Sequence, residues 1–218
     1  MSRNLATPSI EYIRNLYAEQ DDLLISISAE LEKRNMAIHI GAEEGKLLQL
    51  LIAIHSTKTI VEIGTLAGYS TIWMARALPE NGHIYTINKD PVHVQMAEEI
   101  FARCECRARI TQLAGDAHDV LPTLSKNAPF DMIFIDADKI SYPDYLDWAE
   151  KNIRKGGLII ADNTFLGGLA TQSTPPKDYA PTTWQNMRIF NERLADKNKY
   201  NATIIPTREG LSVAVKLF

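Results

Sequence analysis

The sequence predicts an α/β fold: an open, mostly parallel β-sheet with helices on both faces. Three observations carry that prediction. From Thr59 onward, short β-branched apolar runs alternate with longer stretches of helical periodicity. The runs are apolar almost throughout rather than at every second residue, as in strands covered on both faces. Two of them also stop abruptly on polar residues, F-D-M-I-F-I-D at Asp136 and G-L-I-I-A-D-N at Asp162 and Asn163. In an open parallel sheet the carboxyl ends of the strands form the ligand-binding edge.

The elements follow in order. Residues 8 to 34 carry apolar side chains at helical spacing (Ile10, Ile13, Leu16, Tyr17, then Leu24, Ile27, Leu31), which predicts one or two helices outside the main sheet. After a loop at 35 to 41, A-E-E-G-K-L-L-Q-L-L-I-A-I-H reads as an amphipathic helix leading into a first strand, Thr59 to Ile63. Further strands are expected at 83 to 88, 108 to 114, 130 to 136 and 157 to 161, with helices at 91 to 104, around 117 to 125, and at 142 to 153. A Pro-bearing loop at 164 to 182 precedes a helix at 183 to 196. The runs Y-N-A-T-I-I-P and G-L-S-V-A-V-K-L-F then flank a short turn, Thr207 to Gly210, as an antiparallel hairpin. The 218 residues suit one domain, 1–218, in which 1–35 is a helical appendage on a 36–218 core.

Composition excludes some classes of function. A formal net charge of -4 argues against nucleic acid or an anionic membrane as a partner, because either needs a basic face. No stretch approaches the roughly 18 consecutive apolar residues of a membrane span, and the first residues lack an apolar leader. The expectation is a soluble, cytoplasmic protein. Cys104 and Cys106, the only cysteines, form neither a disulfide framework nor a four-ligand zinc site and read as reduced thiols at a helix end. His39, His55, His83, His93 and His118 show no paired metal-ligand spacing.

Two groups of residues carry chemistry. Asp136, Asp162 and Asn163, at the ends of two predicted strands, offer two carboxylates and an amide oxygen, a set suited to Mg²⁺, Ca²⁺ or Mn²⁺. A single strand-terminal Asp can equally cap a turn or helix. The second group is V-E-I-G-T-L-A-G-Y-S, where Gly64 and Gly68 allow a tight turn and close backbone approach as a helix opens. It lacks the G-x-G-x-x-G spacing of dinucleotide folds. Glu62 could receive an ammonium group and the helix start at Ser70 a carboxylate, so the loop matches an amino-acid zwitterion better than a pyrophosphate.

These residues resemble the class I S-adenosylmethionine-dependent O-methyltransferases, specifically the cation-dependent group that includes the catechol and caffeoyl-CoA enzymes. The matching pieces run from about residue 36 to 218: the Glu62 to Ser70 loop, the G-D-A turn at 115 to 117, F-D-M-I-F-I-D-A-D-K with Tyr142 and Tyr145, G-G-L-I-I-A-D-N, and the terminal E-G-L-S-V-A-V-K. The resemblance implies a Rossmann-like, doubly wound sheet of seven strands with the last antiparallel, and a homodimer. It implies S-adenosylmethionine and a divalent cation, Mg²⁺ first, as cofactors and a small phenol with adjacent hydroxyls as acceptor. Glu62 would bind the methionine ammonium, Gly64 and Gly68 would admit the ligand, and Ser70 would meet its carboxylate. Ile40 would close over that end, and Ala117 would contact adenine. Asp136, Asp162 and Asn163 match the metal ligands, with Asp136 also facing the cofactor. Lys139 matches the proposed general base.

At the end of the second strand the family usually has Glu or Asp to accept both ribose hydroxyls, where this chain has Asn88. A neutral amide there forgoes charge assistance worth about 1 to 2 kcal/mol. The alternatives are a nucleotide-dependent oxidoreductase on a similar sheet and a non-catalytic cofactor-binding module. Trp184 and Tyr179, beside the 164 to 182 loop, are candidates for the wall of an aromatic substrate pocket or for the core.

Overall fold

A computed structural model describes residues 7–218; the leader expectation rests partly on residues 1–6 and lies there outside the described residues. In chain order the elements are α1 Pro8–Tyr17, α2 Asp22–Lys33, α3 Ala42–His55, β1 Thr59–Ile63, α4 Tyr69–Ala77, β2 His83–Asn88, α5 Pro91–Phe101 and β3 Arg109–Ala114. They continue with α6 Ala117–Leu124, β4 Phe130–Ile135, α7 Tyr142–Asn152, β5 Ile153–Ala161, α8 Pro181–Leu194, β6 Tyr200–Ile205 and β7 Leu211–Lys216. The seven strands form one sheet in the order β3-β2-β1-β4-β5-β7-β6. β1 pairs parallel with β4, β4 with β5 and β2 with β3, while β7 runs antiparallel to both β5 and β6. This is the mostly parallel α/β sheet with a reversed last strand that the sequence predicts. Among the described residues no helix is long and apolar enough to cross a membrane.

The chain divides into two compact units. One holds the described chain up to Lys58 together with Thr65–Asp116. Its helices start where the local chemistry satisfies their first N–H groups: Asp21 accepts from Leu24 N at 3.1 Å ahead of α2, and the Glu44 carboxylate accepts from Gly41 N at 2.8 Å ahead of α3. Leu24, Ile27 and Leu31 of α2, Leu48 and Ile52 of α3 and Ile72 of α4 are buried. Gly45 of α3 lies against the Trp73 ring, where a Cβ would come within 2.6 Å of ring carbons. α5 ends at Phe101, three residues short of the expected 104. The following amides of Arg103 and Cys104 reach only the third carbonyl back, at 3.0 and 3.2 Å, and this tightening ends the helix. The same turn brings Cys104 and Cys106 together as a disulfide with Cα atoms 5.4 Å apart, which corrects the reading of reduced thiols.

The other unit holds Thr59–Gly64 and Ala117–Phe218. Its core joins Ile60 and Val61 of β1, Met132 to Ile135 of β4 and Ile159 to Ala161 of β5 with Tyr142, Tyr145 and Phe190. β5 begins four residues before the expected 157. Its Arg154 binds Asp131 at 2.6 Å, and a register shift between Phe130 and Met132 absorbs the extra residues at Gly156, whose φ is +75°. Glu150 ties α7 to α8 and β6, accepting from the Tyr200 hydroxyl at 2.6 Å and the Arg193 guanidinium at 3.1 Å.

Burial alone would raise the pKa of Glu150, but the Tyr200 and Arg193 bonds outweigh it and hold the carboxyl below its ordinary value. A depressed carboxyl stabilises the fold fully above the unfolded value of about 4.3 and progressively less as pH falls through the folded one. We therefore expect Glu150→Gln to lower the urea midpoint at pH 7, with the difference from wild type shrinking as pH falls towards about 3. A pH-independent difference in the two unfolding curves would contradict this role.

Candidate active site

The ends of β1, β4 and β5 lie at one level. The register pairs Ile63 with Ile135 and Ile135 with Ala161. Each ladder then continues one residue further, Asp136 N donating to Ile63 O at 2.9 Å and Asp162 N to Ile135 O at 3.0 Å. Asp136 and Asp162 thus emerge side by side. At Gly64 the chain turns with φ +100°, and a Cβ would collide with the Asp136 carbonyl oxygen, so only glycine fits. Asp162 and Asn163 are buried. Asn163 takes the left-handed conformation, φ +61°, which asparagine tolerates better than most residues, and its Nδ2 donates to Asp162 Oδ2 at 3.0 Å.

Lys139 sits on a single 3₁₀ turn, Lys139–Ser141, between β4 and α7. Its ammonium donates to Asp136 Oδ1 at 3.0 Å and to the Tyr142 hydroxyl at 2.7 Å. That hydroxyl donates in turn to the Asp162 carbonyl at 2.9 Å and lies 3.2 Å from the Ile135 carbonyl. Tyr142 is fully buried. Asp138 accepts from Tyr145 at 2.7 Å and from Ser141, so it shapes the turn that presents Lys139.

One connected network therefore joins Asp136, Lys139, Asp162 and Asn163. Tyr142 is its centre, a role sequence reasoning missed. The signal lay in the spacing of Lys139 and Tyr142, three residues apart, which puts both on one face of a tight helical turn.

In the same unit, Glu62 is a fully buried carboxylate one residue before the end of β1, and Ala117 opens α6. His118 follows it, 3.4 Å from Asp144. Trp184 is almost completely buried and donates to the Leu169 carbonyl at 3.0 Å, with Arg188 stacked 5.0 Å from its ring centre. It therefore braces the 164 to 182 loop from within the core. Among the described residues no group of three or more His, Cys, Asp or Glu is placed to hold a metal, and the set here is instead two carboxylates and one amide.

The remaining candidates belong to the first unit. Gly68 caps α4 with φ +85°, the Phe101 ring lies where its Cβ would be, and Ser70 is the second residue of the helix and buried. Thr65 and Thr86 hydroxyls are 2.6 Å apart, and Asn88 Nδ2 donates to the Leu66 carbonyl at 3.2 Å. Ile40 is buried next to Gly41, the N-cap of α3. Asp90 caps α5 through Val92 N at 2.8 Å and His93 N at 3.4 Å, and those backbone bonds hold its pKa low.

The sequence profile of the O-methyltransferase family matches residues 16–217. The chain belongs to the O-methyltransferase family. It is 42% identical over 199 residues to a catechol O-methyltransferase of Niastella koreensis, covering 89% of this chain and 87% of that one. Among solved structures it is similar to the O-methyltransferase TomG of Streptomyces achromogenes, crystallised with S-adenosylmethionine (SAM), at TM-score 0.87, 34% identity and 95% coverage of both chains. It is also similar to an O-methyltransferase of Bacillus cereus in complex with SAH, at TM-score 0.85 and 34% identity, covering 96% of this chain and 98% of that one. This membership leaves the oxidoreductase alternative without support.

For this O-methyltransferase, Gly64→Ala should be among the most damaging single-methyl changes. It combines a strained φ with a backbone collision, and the loss should reach about 2 to 4 kcal/mol. A chemical-denaturation curve within about 0.5 kcal/mol of wild type would show that the β1 end can yield.

Proposed function

We propose that this O-methyltransferase transfers the methyl group of S-adenosylmethionine to one hydroxyl of a small catechol-like phenol, and that the reaction requires a divalent cation, Mg²⁺ in the first instance. The observation that carries this reading is the joint exit of Asp136 and Asp162–Asn163 from β4 and β5, tied to Lys139 through Tyr142. The donor set fits a hard cation. It is all oxygen, its two carboxylates supply charge, and it leaves coordination positions for two adjacent substrate oxygens. Asp136, Asp162 and Asn163 would hold the cation, which would supply Lewis acidity toward the acceptor hydroxyl.

The remaining work falls to the chain itself. Lys139 Nζ serves as the general base toward the hydroxyl, and the Tyr142 hydroxyl, 2.7 Å away, holds that nitrogen in place. Glu62, buried near the end of β1, receives the methionine ammonium, and burial of the carboxylate strengthens the ion pair. Gly64 and Gly68 admit the ligand to the backbone, Ser70 meets the carboxylate at the start of α4, and Ile40 covers that end. Asn88 offers its amide to the ribose, and Ala117 flanks the adenine. As the oxygen–methyl bond forms, the sulfur–methyl bond breaks, leaving the thioether. Support comes from a relative named catechol O-methyltransferase and from similar O-methyltransferases captured with S-adenosylmethionine or SAH.

Purified enzyme should methylate catechol from S-adenosylmethionine with added Mg²⁺ and stop when EDTA is added. Asp136→Ala should cost at least about 100-fold in kcat/KM. Lys139→Ala should cost about 100- to 10,000-fold in kcat, the range for loss of a general base, while SAH still binds in calorimetry. Undiminished turnover by Asp136→Ala in EDTA would sink the cation-dependent reading.

A further inference from the structure

Side chains two residues apart on a strand share a face, so Thr86 and Asn88 of β2 project on the same side. Both reach the loop between Gly64 and α4. The Thr86 hydroxyl lies 2.6 Å from that of Thr65, and Asn88 Nδ2 donates to the Leu66 carbonyl at 3.2 Å. The two partners of the Asn88 amide fix which way round it sits. A carbonyl can be met only by the NH₂ side, and Asp90 N–H, 3.4 Å from Oδ1, only by the oxygen side. The segment held is a strained one. Leu66 has φ +48° and Gly68 φ +85°, and the Gly68 amide closes the turn onto Thr65 O at 2.7 Å before α4 begins.

Resting on the reading of this loop as the S-adenosylmethionine site, we infer that Asn88 is a positioning residue. Its amide N–H clamps Leu66 in its left-handed conformation and so presets the turn from which Ser70 and α4 start. The position therefore demands a donor. A carboxylate, though isosteric and a better acceptor for ribose hydroxyls, sets oxygen against the Leu66 carbonyl and loosens the loop. If position 88 served only as a ribose acceptor, Asn88→Asp would tighten binding. As a clamp it weakens it, and the two roles predict opposite signs.

The experiment compares wild type, N88D and N88A by calorimetric binding of SAH, steady-state kinetics and native-state hydrogen exchange. N88A guards against failure of N88D to fold. N88D and N88A should bind SAH about tenfold more weakly, the scale of one lost hydrogen bond, with a raised KM for S-adenosylmethionine and little change in kcat or in the KM for catechol. The Gly68 amide should exchange faster in both variants. The deficit of N88D relative to wild type should narrow as pH is lowered, because a protonated carboxyl regains a donor for Leu66, whereas that of N88A should not.

Tighter binding by N88D overturns the inference, as does weaker binding with Gly68 exchange unchanged, since the amide then acts only by touching the ligand. Should wild type bind no SAH, the methyltransferase reading fails. The clamp is then decided by exchange alone: faster Gly68 exchange in the variants keeps it and unchanged exchange discards it.

Discussion

Everything at the candidate metal-binding end depends on hydrogen bonds that carry the parallel ladder one residue beyond its strands. Asp136 N to Ile63 O and Asp162 N to Ile135 O keep three chain segments in register at the point where each would otherwise be free to diverge. A parallel ladder has slanted, evenly spaced bonds, so equal register at the strand ends delivers Gly64, Asp136 and Asp162 at equal height. Side-chain chemistry is then added to a backbone already fixed. Had either ladder stopped one residue earlier, the two carboxylates would hang on loops, and their separation would be set by entropy rather than by the sheet.

The strands and most helices were legible because they are governed by local burial. Thr59–Ile63 and His83–Asn88 have their expected bounds, since each is a short β-branched, largely buried run that ends at a turn. Errors fell where specific contacts rather than burial periodicity decide. The early start of β5 depends on Arg154 reaching Asp131 across the sheet, and the early end of α5 on a tightened turn that no periodicity announces. The Cys104–Cys106 pairing was misread for a related reason. Two-residue spacing speaks of metal or redox chemistry only through the turn it sits on, and the turn was not visible.

In the site the identities of the polar residues were legible and their connections were not. Asp136, Asp162 and Asn163 stand out because carboxylates and amides follow buried strands directly, and Lys139 through the family resemblance of its surroundings. Tyr142 did not, since a tyrosine at the start of a helix is ordinary core material. What gives it weight is that one buried hydroxyl meets an ammonium and two carbonyls at once and is thereby itself fully partnered. Asn88 was legible only as a departure. Its partner is a backbone carbonyl, and backbone acceptors leave no mark in a sequence.

Lys139 also settles an electrostatic difficulty. Asp136 and the buried Asp162 place two like-charged carboxylates at neighbouring strand ends. The Lys139 ammonium, 3.0 Å from Asp136 Oδ1, supplies one compensating charge from within the chain. A divalent ion would bring the second charge and more, weakening the hold of Asp136 on the ammonium. Lysine is suited to that exchange in a way arginine is not: its compact head on a flexible stem can shift, whereas a planar guanidinium would remain forked onto the carboxylate. The same contact thus positions the nitrogen that the proposed methyl transfer needs, and the Tyr142 hydroxyl, 2.7 Å from it, gives that nitrogen a second anchor.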